Sequence, residues 1–198
     1  MNTLLILLPL LLFAGGARAD TVLSTAKADF NGDGKEDSLA VVMTSGHLVK
    51  DTEAWCGAGR RYEGHFVLRV RMAGRKTVET DLNRLMDVAP DEPLAFPAHK
   101  WTLFLNDYSG GGRPEFTLGQ YASCNGWRYR LFAVAADGSV VARRLEDGLT
   151  LFLAAREPSV RLPMIEGGFE QRYYDNTKPG EVIRFYHWDT AKQVFTQR

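Results

Sequence analysis

Asp29-Phe30-Asn31-Gly32-Asp33-Gly34-Lys35-Glu36-Asp37, followed at once by Leu39-Ala40-Val41-Val42-Met43, is the stretch that decides the fold of this 198-residue chain. Oxygen-bearing side chains stand at Asp29, Asn31, Asp33 and Asp37, and the carbonyl of Lys35 falls where metal-binding loops contribute backbone oxygen. Gly32 and Gly34 permit the tight, partly left-handed turn that lets alternate residues converge, which a Cβ would resist. Hard oxygen ligands at that density point to Ca2+. The competing reading is a solvated Asx/glycine turn that binds no metal.

Position twelve of the loop, counted from Asp29, separates two kinds of calcium site. It is Ala40. A helix–loop–helix site needs a bidentate Glu there and an exiting helix, whereas here the ligands end at Asp37 and β-branched residues follow. A strand–loop–strand calcium site is the expectation. The run from Asp29 to Val42 resembles the loop of FG-GAP and VCBS repeats, and the resemblance implies calcium-stabilised β-propeller blades.

The N-terminus reads as a secretory signal over residues 1–19. Leu4 to Ala14 is apolar but too short to span a bilayer, and Ala17-Arg18-Ala19 supplies a small-x-small cleavage pattern before Asp20, although no Lys or Arg precedes the apolar core. Residues 20–198 are then one exported domain, periplasmic or, alternatively, secreted. Loss of the leader removes one Arg and no acid, leaving 23 basic against 24 acidic side chains. Such a balance lacks the basic patch that nucleic acid requires, and no later apolar stretch is long enough for a membrane span.

Cys56 and Cys124 are the only cysteines, and in an exported chain an even count argues for a disulfide. Closing so long a loop gives about 4 kcal/mol in the chain-entropy model. A nucleophilic Cys working with His65 or His99 is the alternative, but no Cys/His signature accompanies either thiol. His47, His65, His99 and His187 show no metal-ligand spacing, and no nucleophile motif is present, so the chain does not read as an enzyme.

Downstream the pattern is strand-like throughout. Short β-branched and aromatic runs broken by glycine turns predict strands near 22–28, 38–44, 65–72, 76–80, 101–106, 115–120, 128–135, 140–145, 149–154, 160–164, 168–174, 182–188 and 193–197. Hairpins are expected at Ala73-Gly74, Asp137-Gly138 and Lys178-Pro179-Gly180, one short helix at Leu82–Asp87, and loops at 46–64 and 88–99. A decayed copy of the first loop begins at Asp107, an offset of 78 from Asp29, with Ser109 aligned on Asn31, Gly111 on Asp33, Arg113 on Lys35 and Glu115 on Asp37. Loss of the central carboxylate predicts much weaker calcium binding there. The fold class is all-β. Blades of roughly 40 residues would allow four or five, so a small or irregular propeller is expected, with a twisted β-sandwich as the alternative.

The binding reading rests on Tyr121-Ala122-Ser123-Cys124-Asn125-Gly126-Trp127-Arg128-Tyr129. Trp, Tyr and Arg are common interface anchors, and a disulfide at Cys124 would hold their loop ready. The alternative is that Trp127 and Tyr129 simply pack between blades. A single calcium loop, small size and an aromatic C-terminal hairpin are similar to periplasmic propeller-type immunity proteins that inhibit peptidoglycan hydrolases. Asn125-Gly126-Trp127-Arg128-Tyr129 also resembles the Ser-Gly-x-x-Tyr loop of periplasmic lysozyme inhibitors, with Asn125 in place of Ser and Ser123 two residues early. The resemblance implies a peptidoglycan-hydrolase partner contacted through Ser123, Asn125, Trp127, Arg128 and Tyr129. A carbohydrate-binding or adhesion module is the alternative, with Trp55, Trp127 or Tyr173 stacking on sugar rings.

Overall fold

The computed structural model describes residues 20–50, 59–89, 92–148, 150–177 and 180–198. Within them the chain is all-β, built of sheets that are antiparallel apart from one parallel pairing and none of which closes on itself. In the first sheet β1 (Thr21–Ala28), β2 (Asp37–Lys50), β3 (Arg60–Arg71) and β4 (Val78–Asp81) follow one another as a meander. Leu39, Val41, Phe66, Leu68 and Val70 turn inward at every second position, the period of a pleated strand. The short helix α1 (Leu82–Met86) starts where the Asp81 carboxylate accepts the Arg84 N–H at 3.1 Å and stops at Asp87, whose φ is 58°. β5 (Leu94–Pro97) returns to pair with β3.

The second sheet is the meander β6 (Leu105–Asn106), β7 (Glu115–Ser123), β8 (Gly126–Val134) and β9 (Val140–Ala142). After β10 (Arg144–Leu145), β11 (Leu151–Leu153) joins the free end of β8, beside Trp127–Tyr129. The third sheet is the meander β12 (Met164–Ile165), β13 (Gly168–Tyr174), β14 (Glu181–Asp189) and β15 (Val194–Gln197). β10 lies parallel to β15, tying the end of the second unit to the third.

Several boundaries differ from the sequence expectation. The segments 46–50 and 60–64, expected as loop, extend β2 and β3 into one long hairpin. Gly46 faces Gly64, and a Cβ on Gly64 would lie 2.1 Å from the Ser45 carbonyl oxygen, so the glycines read as loop punctuation are there for close strand approach. The proline-rich 88–99 holds β5, with Pro97 at the end of an edge strand. Only residues 105–106 of the expected 101–106 strand, and 164 of 160–164, enter a sheet. The strands form three five-stranded sheets, where four or five blades of about four strands were expected. The Lys178-Pro179 turn lies outside the described residues, as do residues 1–19. Among the described residues no helix is long and apolar enough to cross a membrane.

Two cores hold these sheets. One joins Phe30, Leu39, Val41, Phe66 and Leu68 to Phe116, Leu118 and Phe132; the other joins Trp127, Tyr129, Leu131 and Leu151 to Phe169, Tyr186 and Phe195. The second sheet thus contributes one face to each core. That is why β8 is buried at every position but Arg128, where a half-exposed strand would alternate. Each fully buried large apolar side chain contributes roughly 1.5–3 kcal/mol, and Phe66–Phe96, Tyr108–Phe169 and Phe169–Phe195 add edge-to-face contacts.

Candidate functional site

The first loop links β1 to β2 and is organised by Asp29. Its Oδ1 accepts the N–H of Gly32 at 2.7 Å and of Asp33 at 3.1 Å, and its Oδ2 accepts that of Gly34 at 2.7 Å. These bonds, the one from Gly34 foremost, hold the Asp29 carboxyl below the usual carboxylate range. Gly32 and Gly34 sit at φ 79° and 80°, the conformation the sequence pattern anticipated. Asn31 Oδ1 accepts from Asp33 N–H at 2.9 Å, and Asp33 Oδ1 from Lys35 N–H at 2.9 Å. Asp37 is 1% exposed; its Oδ2 accepts from Phe30 N–H at 3.1 Å and its Oδ1 from Ala73 N–H at 2.8 Å, fastening the loop to the turn after β3.

In kind, these donors fit a hard cation: three carboxylates, an amide oxygen and a backbone carbonyl, each carboxylate keeping lone-pair capacity on at least one oxygen beyond its hydrogen bonds. In position they are spread. Asp33 Oδ2 is drawn to Asn31 Nδ2 at 3.1 Å, and among the described residues no three Asp, Glu, His or Cys side chains form a group that could hold an ion.

The second loop, between β6 and β7, repeats the turn with a different centre. Asp107 accepts from Gly111 and Gly112 N–H at 3.0 and 2.7 Å, matching the bonds Asp29 makes with Asp33 and Gly34, and Gly110 and Gly112 sit at φ 70° and 73°. Glu115, fully buried, takes the place of Asp37: Oε2 accepts from Ser109 N–H at 2.9 Å. Its Oε1 meets Arg143 Nε at 2.5 Å, and that guanidinium lies 4.6 Å from the centre of the Trp188 ring. Burial pushes the Glu115 carboxyl above its ordinary range, against the pull of Arg143 and Ser109. Arg143 went unnoticed in the sequence because it lies outside the loop, 28 residues from its partner. In the third sheet the equivalent connection, between β12 and β13, is only Glu166-Gly167.

The hairpin β7–β8 places the expected contact residues unequally. Trp127 is 6% exposed and Tyr129 0%, both inside the second core, and the Tyr129 hydroxyl donates to the Glu157 carbonyl at 2.7 Å. The expectation that these two rings reach a partner is therefore corrected: the third sheet covers the face of β8 that carries them. Asn125 and Arg128 are exposed, Ser123 is half-buried, and the exposed ring nearby belongs to Tyr121. Cys124 is disulfide-bonded, and its carbonyl accepts from Arg156 Nη2 at 2.8 Å. Cys56 and Trp55 lie outside the described residues.

Beside the hairpin tip is an open cleft of about 370 Å³, lined by Ser123, Asn125, Phe152, Tyr173, Tyr174 and the 175–177 segment. Tyr173 meets Phe152 edge-on at 6.0 Å, and the Arg184 guanidinium lies 5.5 Å from the Tyr173 ring centre. Tyr174 is 53% exposed. Asp175 folds the far wall by accepting from Thr177 N–H and Oγ1 at 2.9 and 2.7 Å. Of these residues the sequence had singled out Ser123, Asn125 and Tyr173. Compared with protein-family models, curated proteins and solved structures, the chain shows no match to any of them.

Proposed function

We propose that this is an exported, calcium-pinned binding module that works without catalysis, and that its partner is a peptidoglycan hydrolase, blocked in the periplasm in the manner of an immunity protein. On this reading the three four-strand meanders are propeller blades that present one end to the partner. The observation that carries the reading is the β7–β8 hairpin. Its tip is held by the disulfide at Cys124 and the bond from Arg156, so it enters a complex with little left to order.

The contact falls on Ser123, Asn125 and Arg128 with Tyr121, the members of the segment that face solvent, rather than on Trp127 and Tyr129. Arg128 would pair with carboxylates of the hydrolase cleft, and Tyr121 would supply apolar area with a polar handle. Calcium would bind Asp29, Asn31, Asp33, Asp37 and the Lys35 carbonyl, the Asp33 carboxylate exchanging its bond to Asn31 for the ion.

The test is loss of turbidity of cell-wall suspensions by a panel of lysozyme-like and amidase-like enzymes. Inhibition at about micromolar protein is expected, with Arg128→Ala and Tyr121→Ala each weakening it about thirtyfold if they are anchors. No inhibition of any enzyme in the panel overturns the reading; inhibition untouched by both substitutions overturns the placement. The carbohydrate-binding alternative draws on the cleft and the exposed ring of Tyr174 rather than on the hairpin edge.

A further inference from the structure

We propose that Arg113, in the second loop, sets the calcium affinity of the first loop by holding a positive charge against it. This rests on the reading of the first loop as a calcium site. Arg113 Nε lies 4.0 Å from where a Cβ on Gly32 would stand, so the guanidinium of one loop packs against the turn of the other. Apart from the chain neighbours of Gly32, it is the only atom of the described residues within that distance. The two loops belong to different sheets, one linking β1 to β2 and the other β6 to β7. Arg113 is exposed, and among the described residues it makes no hydrogen bond or ion pair of its own. The buried acid of its own loop, Glu115, is already met by Arg143, so the charge of Arg113 is left over for the first loop.

The loop it lies against carries Asp29, Asp33 and Asp37, while Glu36 is tied to Lys27 at 2.8 Å. Gly32 N–H is bonded to Asp29 Oδ1 at 2.7 Å and Asp33 is the next residue, so two of the ligand carboxylates belong to the turn that Arg113 touches. A fixed positive charge beside a divalent-cation site acts twice. In the empty loop it attracts the carboxylates and offsets their mutual repulsion; in the filled loop it repels the ion. Both effects weaken binding. A guanidinium keeps its charge at any physiological pH, so only salt screens the effect. In surroundings close to bulk water, repulsion between a single and a double charge several ångströms apart amounts to roughly a fivefold change in affinity. Calcium loops tune their affinity through ligand charge count, and Arg113 in effect subtracts one charge from the first loop. The decayed loop thereby shifts the intact one towards weak, reversible occupancy that follows the calcium around the protein.

The experiment titrates calcium by calorimetry into the full disulfide-intact protein at about 0.01 M salt, where the Debye length is about 30 Å. The parent is compared with Arg113→Gln, Arg113→Lys and, as a control at an exposed cation of the third sheet, Lys192→Gln. Arg113→Gln is expected to tighten calcium binding about fivefold, Arg113→Lys to stay within about twofold of the parent, and Lys192→Gln to change nothing. At about 1 M salt, where the Debye length falls to about 3 Å, the gain from Arg113→Gln is expected to disappear. Melting supplies a second readout. In chelator Arg113→Gln is expected to melt below the parent and in saturating calcium above it, whereas loss of a merely structural contact would lower both. Calcium affinity that Arg113→Gln leaves unaltered or weakens overturns the inference, as does tightening that persists undiminished in high salt. Absence of heat in the parent overturns the calcium reading and the inference with it; heat in the parent that Arg113→Gln does not change overturns the inference alone.

Discussion

The loops starting at Asp29 and Asp107 share a backbone and differ in what balances their buried acid. Each begins with an Asp that gathers N–H groups three to five residues on, each carries two left-handed glycines, and each ends on a buried carboxylate that opens a strand. In the first, Asp37 is answered by two backbone N–H groups, and the remaining oxygens keep capacity for a cation. In the second, Glu115 is answered by Arg143, a cation supplied by the chain itself and backed by Trp188. The difference teaches that the turn and the means of balancing its buried acid are separable. Glycine and Asx chemistry build both loops, and the buried acid at the last residue is met by backbone N–H groups in the first and by a guanidinium in the second.

The comparison is broken most directly at Arg143. Arg143→Met leaves Glu115 in the core with no countercharge, and removing one partner of a buried pair costs roughly 3–5 kcal/mol. Urea unfolding of this variant is expected to show that loss, and Glu115→Gln in the same chain to recover most of it. An Arg143→Met protein as stable as the parent would show that the guanidinium does not balance this loop.

Calcium removal comes next. A ligand that binds only the folded state adds RT ln(1 + [L]/Kd), about 2.7 kcal/mol at 100 times Kd. Melting in calcium and in chelator is expected to differ for the parent and for Asp107→Ala, and to coincide for Asp33→Ala. A parent indifferent to chelator would reduce the first loop to a glycine turn.

Gly34→Ala and Gly112→Ala sharpen the claim that the backbones are equivalent. Nothing stands within 4 Å of a Cβ at either position, so the cost is conformational, about 1–2 kcal/mol for a left-handed residue. Equal losses are expected in chelator, measured by denaturant midpoint. Losses differing severalfold would mean the two turns are strained differently.

The smallest effect is in the pH dependence. Asp29 is held below the ordinary carboxylate range, so its contribution is present above the unfolded value and disappears as pH falls through the folded one. Glu115 is held above its range, so its contribution is present at low pH and is lost as pH rises through the folded value. Asp29→Asn is expected to flatten the acid limb of a stability-against-pH curve in chelator, whereas Glu115→Gln removes a slope of the opposite sign. An acid limb unchanged by Asp29→Asn would show that other carboxylates set it.

The loop geometry was legible in the sequence because its bonds span two to seven residues. Asp29, Gly32, Gly34 and Asp37 meet through local chain geometry alone, and the same holds for Asp107, Gly110, Gly112 and Glu115. The all-β class and the short helix after Asp81 were legible for the same reason, since strand alternation and caps are written in adjacent residues. Which face of a strand is covered is not written there. The sequence left Trp127 and Tyr129 open to both an anchor and a core reading, and the third sheet, more than 30 residues on, decided for core by covering β8 from its second side. Arg143 reaches Glu115 across 28 residues, β10 joins β15 in parallel, and the Tyr173–Tyr174 segment comes beside Asn125 because two hairpins end at the same place. Those are long-range encounters. Local patterns encode what a segment can form, while the pairing of distant surfaces follows from burial of the whole chain, which no window of sequence contains.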